Sequence, residues 1–415
     1  MSTLNIVQTV ELLNFASNGV ASFKASPADL TKYLNVSLNG GTDPLNNPYP
    51  GFFPLMNPQL AGGDWKVVWG PIAITRDGNP GEAINAMYCA HSANLSTWVV
   101  AIAATNPASI YDWIAEDGDV SPVYMAKWPL DLPFDRKWHL PYIGIPTISA
   151  ATALGVSNLL TKMNDPVEGA ISTFLSKNAN ANDTLIFTGH SLAGALAPTT
   201  ALRLYSDPAK SGWKAIYVLP SAGASPGNKH FADLFAAAYP KTASGVAAPY
   251  GDWNVDYTNN QDIVPHAWNQ LGKAVTGPDA AGNYPSFFGV IGPVMGAGLK
   301  TAILAAEVLS TGSVTYKNLE QTTFDPDWGT WQPASGNWGY PATWVSIPSY
   351  TDANPLNTVK ELGAMIEATH ISQYIKFFDM VPPPQMPRKQ ASSNAAADDP
   401  EDLRKQALKA AAQVS

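Results

Sequence analysis

Cysteine and charge are both scarce in this chain of 415 residues. Cys89 is the single cysteine, so no disulfide can form within the chain, and cysteine usage does not indicate a redox compartment. Charged residues make up 14%, and the formal net charge is -9, with no basic run long enough to follow a phosphate backbone. We therefore expect no nucleic-acid partner. Hydrophobic residues, at 46%, suffice for a large buried core.

Targeting and membrane-spanning patterns are also missing. Residues 1–30 lack a basic start followed by an apolar core, so we expect no secretory signal peptide. Localisation then stays open between the cytoplasm and export by another route. The uncharged run from Ala280 to Leu299 is interrupted by seven glycines and prolines, which argues against a transmembrane segment. We expect a soluble protein, whose oligomeric state the composition leaves open.

Predicted strands alternate with predicted helices along most of the chain. Nearly continuous apolar runs such as Thr97–Ala103 are typical of central parallel strands that are covered on both faces. We interpret Gly81–Ala93 as a helix carrying Cys89. The alternation predicts an α/β fold with a mostly parallel central sheet and helices on both faces. We expect one domain over residues 1–384, with a Gly/Pro/Trp-rich insertion at about 272–350 and a polar, flexible tail at 385–415.

One stretch, residues 184–197, predicts a strand, a tight turn and a helix with Ser191 at the apex. A serine in such a nucleophile elbow is exposed at the helix N-terminus. The usual pattern is G-x-S-x-G, but here Ala193 takes the second glycine position and Gly194 follows one residue later. We expect slight crowding rather than loss of the turn. The alternative is an alanine-rich helix that happens to begin with serine.

A serine nucleophile needs a base and an orienting acid. In this type of sheet the acid follows the serine along the chain, and the histidine that acts as base follows the acid. Asp262 follows a late predicted strand and fits the acid. His266 and His370 are the histidines beyond that strand. His370 lies on a separate downstream element and is freer to reach across, so order and spacing favour it slightly, and His266 stays open as the alternative.

Several strings, in this order, resemble motifs of the class 3 (fungal-type) lipases, which have the α/β-hydrolase fold. They are Val99–Thr105 with Ser109–Glu116, Thr188–Gly194, Ser225–Phe231, Asp262–His266 and His370–Tyr374. The match covers about residues 65–380, and 272–350 lacks recognisable motifs. One departure is Ala103-Ala104, where the family has Arg-Gly before the oxyanion threonine.

The resemblance implies a role for each matching residue. Ser191 would be the nucleophile, Asp262 the orienting acid and His370 the base, with the backbone N–H groups of Thr105 and Leu192 forming the oxyanion hole. His266 would then be a structural neighbour. This chemistry requires no metal and no organic cofactor.

The resemblance also implies a substrate, a lipid or another carboxylic ester met at a lipid–water interface. We expect a triacylglycerol lipase. One alternative is a short-chain, aryl or polyester carboxylesterase without interfacial activation, and another is a non-catalytic lipid-binding protein on a hydrolase fold. Residues 106–117 place Ile110, Trp113 and Ile114 on one helical stripe, which predicts either a lid over the acyl site or a fixed surface helix.

Overall fold

The computed structural model describes residues 4–21, 23–104, 125–134, 144–260, 262, 264–266, 316–326 and 368–380. The α-helices in this part of the chain are α1 Ile6–Ser17, α2 Pro27–Asn39, α3 Phe52–Met56, α4 Ala150–Ser157, α5 Ile171–Asn178, α6 Leu192–Leu204, α7 Lys229–Ala238 and α8 Gln373–Phe377. Short 3-10 turns span Arg76–Gly78 and Pro208–Lys210, and π-helical turns span Asn158–Lys162 and Ala368–Ser372.

The strands of the same part of the chain are β1 Lys24–Ala25, β2 Gly41–Thr42, β3 Pro48–Tyr49, β4 Lys66–Thr75, β5 Gly81–Ser92, β6 Thr97–Ala104, β7 Met125–Lys127, β8 Thr147–Ser149, β9 Asn164–Asp165, β10 Gly169–Ala170, β11 Thr184–His190, β12 Ala215–Ser221, β13 Gly227–Asn228, β14 Thr242–Ala243, β15 Asp252–Trp253, β16 Asp256–Asn259, β17 Tyr316–Lys317 and β18 Gln321–Phe324.

A central sheet of eight strands organises the molecule, in the order β1-β5-β6-β11-β12-β16-β18, with β4 also paired to β5. The pairs from β6 to β18 are parallel, whereas β1, β4 and β6 each pair with β5 in the antiparallel direction. The carboxyl ends of the parallel strands therefore meet at one edge, where ligand sites of α/β sheets form.

Both faces of this sheet are covered by apolar layers. Successive residues of β6 point to opposite faces, so Val99 and Ala101 join the layer that contains α1, and Val100 and Ile102 join the layer that contains α6. All four are fully buried. This is why the strand reads as a continuous apolar run rather than as an alternating one.

The predicted helix at Gly81–Ala93 is wrong, because this segment is the long strand β5. Its apolar residues divide between the two faces, with Tyr88 in the α1 layer and Met87 and Cys89 in the α6 layer. A run of small apolar residues fits a buried helix and a doubly covered strand equally well. Pairing with β4 and β6 decides for the strand.

Helix α1 is buried along almost its whole length, from Val7 to Ser17. It begins with a capping box, in which the Asn5 side chain accepts from the backbone of Gln8 and the Gln8 side chain accepts from that of Asn5. The helix packs on β6 and β11, directly behind the elbow. Within its buried length lies an acidic residue, Glu11, whose role is described below.

In the range 272–350, which the sequence predicts as an insertion, the described residues 316–326 contain two strands. Of these, β18 extends the central sheet beside β16, and β17 pairs with β13 in a smaller sheet. The rest of that range, the predicted tail at 385–415 and the predicted lid at 106–117 lie outside the described residues. Within the described residues, no helix is long and apolar enough to cross a membrane.

Candidate active site

Ser191 occupies a strained turn between β11 and α6. Its φ of 63° and ψ of -131° lie in a region that non-glycine residues rarely adopt, and holding such a conformation costs about 1–3 kcal/mol. The turn is fixed by a backbone hydrogen bond of 3.0 Å from Ser191 N–H to the Ser221 carbonyl on β12. Ser191 itself is partly exposed to solvent. The sequence therefore yields an elbow despite its departure from G-x-S-x-G.

Two glycines provide the close approach that this elbow needs. A Cβ on Gly189 would overlap the Ala193 carbonyl oxygen and would lie 3.0 Å from the Ala193 Cβ. A Cβ on Gly194 would lie 2.7 Å from Gly223 Cα and 2.8 Å from the Ser221 carbonyl oxygen. Gly189 thus leaves room for the Ala193 methyl group, while Gly194 allows α6 to approach the end of β12. The turn is retained because these two positions keep the close contacts free of side chains.

Asp262 and His370 are brought together although 108 residues separate them. His370 Nδ1 lies 2.7 Å from Asp262 Oδ2, and both side chains are buried. The hydroxyl of Tyr374 donates to the same oxygen at 2.9 Å, and the backbone N–H of Val264 donates to Oδ1 at 3.0 Å. Because an ionised carboxylate only accepts hydrogen bonds, this contact places a proton on Nδ1 and leaves the His370 Nε2 lone pair available.

The segment that carries His370 is tied to the sheet by main-chain contacts. Asn259, the last residue of β16, donates from its side chain to the Thr369 carbonyl at 2.8 Å, and its N–H donates to the Tyr374 hydroxyl at 2.9 Å. Burial raises the pKa of Tyr374 well above its usual value, so the phenol is neutral and can both accept from Asn259 and donate to Asp262. These contacts fix the short π-helical turn on which His370 sits.

The elbow and this histidine segment meet through His190. Its Nε2 lies 2.7 Å from the His370 carbonyl oxygen, and the two imidazole ring centroids are 4.7 Å apart. The residue next to Ser191 therefore touches the residue that pairs with Asp262. His370 Nε2 itself is buried and makes no hydrogen bond to any described residue, so it is not hydrogen bonded to Ser191.

His266, the alternative base, is buried in a different setting. Its neighbour Pro265 accepts a hydrogen bond of 3.1 Å from the Asn318 side chain. The His370 imidazole contacts the Asp262 carboxyl group directly.

Of the two expected oxyanion donors, the structure describes one. Leu192 is the first residue of α6, where helices leave N–H groups without an intrahelical acceptor. Thr105 lies outside the described residues. The strand that precedes it, β6, is adjacent and parallel to β11, and Ile102 is level with Gly189.

Part of the chain is similar to a known protein family. Residues 99–271 match the family model "Lipase (class 3)". The match covers less than half of the chain. The matched residues run from β6 through the elbow to Asp262, so the protein is a carboxylic ester hydrolase.

Solved structures bear on the fold of this ester hydrolase. The M37 lipase is similar with a TM-score of 0.60 at 21% identity, over 91% of this chain and 95% of that chain, and it shows that the fold is that of the lipase α/β-hydrolases. Lipase II from Rhizopus niveus is 17% identical over 63% of this chain and 76% of that chain, with a TM-score of 0.36, too low to bear on the fold. No curated protein sequence matches this chain significantly.

The sequence analysis missed the residues that hold this lipase's histidine segment from behind. Tyr374 and Asn259 contact it directly, and Glu11 reaches it through a chain of side chains. Only Glu11 leaves a recognisable signal, because it is an acidic residue in the middle of an otherwise apolar helical stretch.

Proposed function

We propose that this ester hydrolase is a class 3 triacylglycerol lipase in which Ser191 is the nucleophile, His370 the base and Asp262 the orienting acid. The contact of 2.7 Å between His370 Nδ1 and Asp262 Oδ2, in a segment that touches His190 of the strained elbow, is the observation that carries the proposal. It supplies the proton arrangement that a general base needs, with Nδ1 protonated and Nε2 free to accept. The acylglycerol substrate follows from the family.

In the proposed reaction, Ser191 Oγ attacks the acyl carbonyl carbon while His370 Nε2 takes the hydroxyl proton. Asp262 accepts from Nδ1–H and stabilises the imidazolium that forms. The tetrahedral oxyanion is bound by the backbone N–H groups of Leu192 and Thr105, and loss of one such donor typically costs about 2.7–4 kcal/mol of barrier. The imidazolium then protonates the leaving alcohol, and water hydrolyses the acyl-enzyme by the same proton transfers.

A fluorophosphonate probe tests the nucleophile directly. Ser191 should be labelled stoichiometrically, and Ser191→Ala should lose both labelling and ester hydrolysis while its circular dichroism spectrum is unchanged. Ser206→Ala, at an exposed serine beyond α6, is the matched control and should behave as the wild type. A stable adduct on a different serine would overturn the assignment.

The acyl substrate is decided by rates on esters of graded chain length. Emulsified long-chain triacylglycerol should be hydrolysed, and the rate should rise when droplets form. Activity confined to soluble short-chain or aryl esters, without such a rise, would instead make the enzyme a carboxylesterase.

A further inference from the structure

A buried chain of polar side chains connects α1 to the back of the proposed active site. Glu11 Oε1 lies 2.5 Å from Ser221 Oγ, which lies 2.9 Å from His190 Nδ1. His190 Nε2 in turn lies 2.7 Å from the main-chain oxygen of His370. Glu11 and Ser221 are fully buried, and His190 is 6% exposed. Glu11 and Ser221 are 210 residues apart in the sequence.

The last link of this chain determines where the protons lie. A main-chain carbonyl oxygen only accepts hydrogen bonds, so His190 Nε2 must carry a proton. Burial, with a smaller contribution from neighbouring His370, lowers the pKa of His190 well below its usual value, so the ring is neutral. A neutral imidazole has one N–H, and Nδ1 therefore accepts from the Ser221 hydroxyl.

The first link then requires a protonated carboxyl group. Because the Ser221 proton is directed at His190, the contact of 2.5 Å with Glu11 is a hydrogen bond only if Glu11 donates to Ser221. Burial raises the pKa of Glu11 from 4.5 to about 8, which keeps this carboxyl group neutral at neutral pH. The second oxygen, Oε2, has the Asn14 amide at 3.5 Å as a donor. All hydrogen bonds of the chain therefore run in one direction, from Glu11 to His370.

We propose that Glu11 and Ser221 are positioning residues for the base, because they keep the proton of His190 on Nε2, from which His190 holds the main chain of His370. The proposal rests on the proposed role of His370. Without the Ser221 donor, His190 could move its proton to Nδ1. Nε2 would then present a lone pair to the carbonyl oxygen of His370, and the π-helical turn would lose one of its tethers to the sheet.

Steady-state kinetics on folded enzyme test this positioning, with kcat expressed per active site titrated by the fluorophosphonate probe. Ser221→Ala should lower kcat between about ten-fold and a hundred-fold, the loss that a displacement of about 1 Å produces, while KM stays within about two-fold. Glu11→Met should lower kcat in the same direction. Glu11→Gln should keep kcat near the wild-type value, because its amide N–H₂ can donate to Ser221 as the acid does.

Thr9→Val is the matched control on the same buried helix. Thr9 is fully buried and accepts a hydrogen bond from Ala61 N–H at 2.9 Å. It is not a member of the hydrogen-bonded series of side chains that begins at Glu11. This variant should lower the unfolding midpoint without changing kcat per fluorophosphonate-titrated site. Unchanged kcat in both Ser221→Ala and Glu11→Met would overturn the proposal, as would an equal loss in Glu11→Gln and Glu11→Met.

The proton position on His190 is a readout that needs no variant to be active. Long-range ¹⁵N–¹H spectra of histidine-labelled wild-type enzyme, with His190 assigned by its missing signal in His190→Asn, should show a neutral ring protonated on Nε2. A proton on Nδ1, or on both nitrogens at neutral pH, would overturn the proposal. Failure of the proposed triad would appear separately, as loss of probe labelling at Ser191 in the wild type.

Discussion

Replacing the buried carboxyl group of Glu11 by an amide should change how the stability of this lipase depends on pH. In the folded protein burial raises the Glu11 pKa from 4.5 to about 8, with a small contribution from the Asp256 carboxylate. Between these two values the folded state holds a proton that the unfolded state releases. Stability contributed by this group is therefore present below pH 4.5 and is lost as pH rises towards 8.

The slope of this effect follows from linkage alone. One proton held only by the folded state lowers the free energy of unfolding by about 1.4 kcal/mol for each pH unit of increase. The amide introduced by Glu11→Gln does not titrate. Between pH 5.5 and pH 7, the variant should therefore gain about 2 kcal/mol of stability relative to the wild type.

Equilibrium urea unfolding, followed by tryptophan fluorescence at several pH values, measures this difference. Asp256, whose pKa burial raises to about 7, titrates in both proteins and largely cancels in the comparison. Equal m-values in the two proteins would show that the same transition is compared. Thr9→Val, which removes no titrating group, should differ from the wild type by the same amount at every pH. A difference between Glu11→Gln and wild type that stays flat from pH 5.5 to pH 7 would refute the protonated Glu11.

The remaining predictions concern the elbow, the acid–base pair and the segment after β6. His370→Ala and Asp262→Ala should each lower kcat by about three orders of magnitude or more, while His266→Ala should have a much smaller effect. Steady-state kinetics on a soluble ester measure these losses. An inactive His266→Ala variant together with an active His370→Ala variant would reassign the base. Gly194→Ala should destabilise the protein by about 1–3 kcal/mol in urea unfolding, because its Cβ would overlap the backbone at the end of β12; wild-type stability would show that the helix can move aside freely. Trp113→Ser should reduce hydrolysis of emulsified long-chain triacylglycerol more than that of a soluble short-chain ester, and equal losses on both would favour a fixed surface helix.

Sequence reasoning worked best where a local pattern and its chemistry coincide. The apolar residues before Ser191 and the helix after it predict the elbow, since strand, turn and helix form from neighbours in the chain. The assignment of Asp262 and His370 needed more, because order and spacing left His266 open. Motif resemblance favoured His370, and the structure places the Asp262 carboxylate against that imidazole.

Prediction from the sequence failed where one stretch of residues is compatible with both a helix and a strand. Gly81–Ser92 consists largely of small and apolar residues, which pack equally well in a buried helix or in a strand covered on both faces. The choice is made by β4 and β6 on either side, which pair with the segment from Ala83 to Ser92. Likewise, no motif in 272–350 points to β18, which is a strand because the edge of β16 is available to pair with it.

The sequence by itself determined the class of fold, the elbow and the residue types needed for ester hydrolysis, because each depends on local periodicity or on a short motif. Tertiary structure alone decided which buried side chains support the His370 segment. The sequence shows Glu11 only as an acidic residue within an apolar helical stretch, and its partner appears when folding buries α1 against β6 and β11 and brings the Glu11 carboxyl group to Ser221. Removal from water then keeps that group protonated and turns it from a charge into a hydrogen-bond donor, an outcome that depends on contacts across 210 residues of chain.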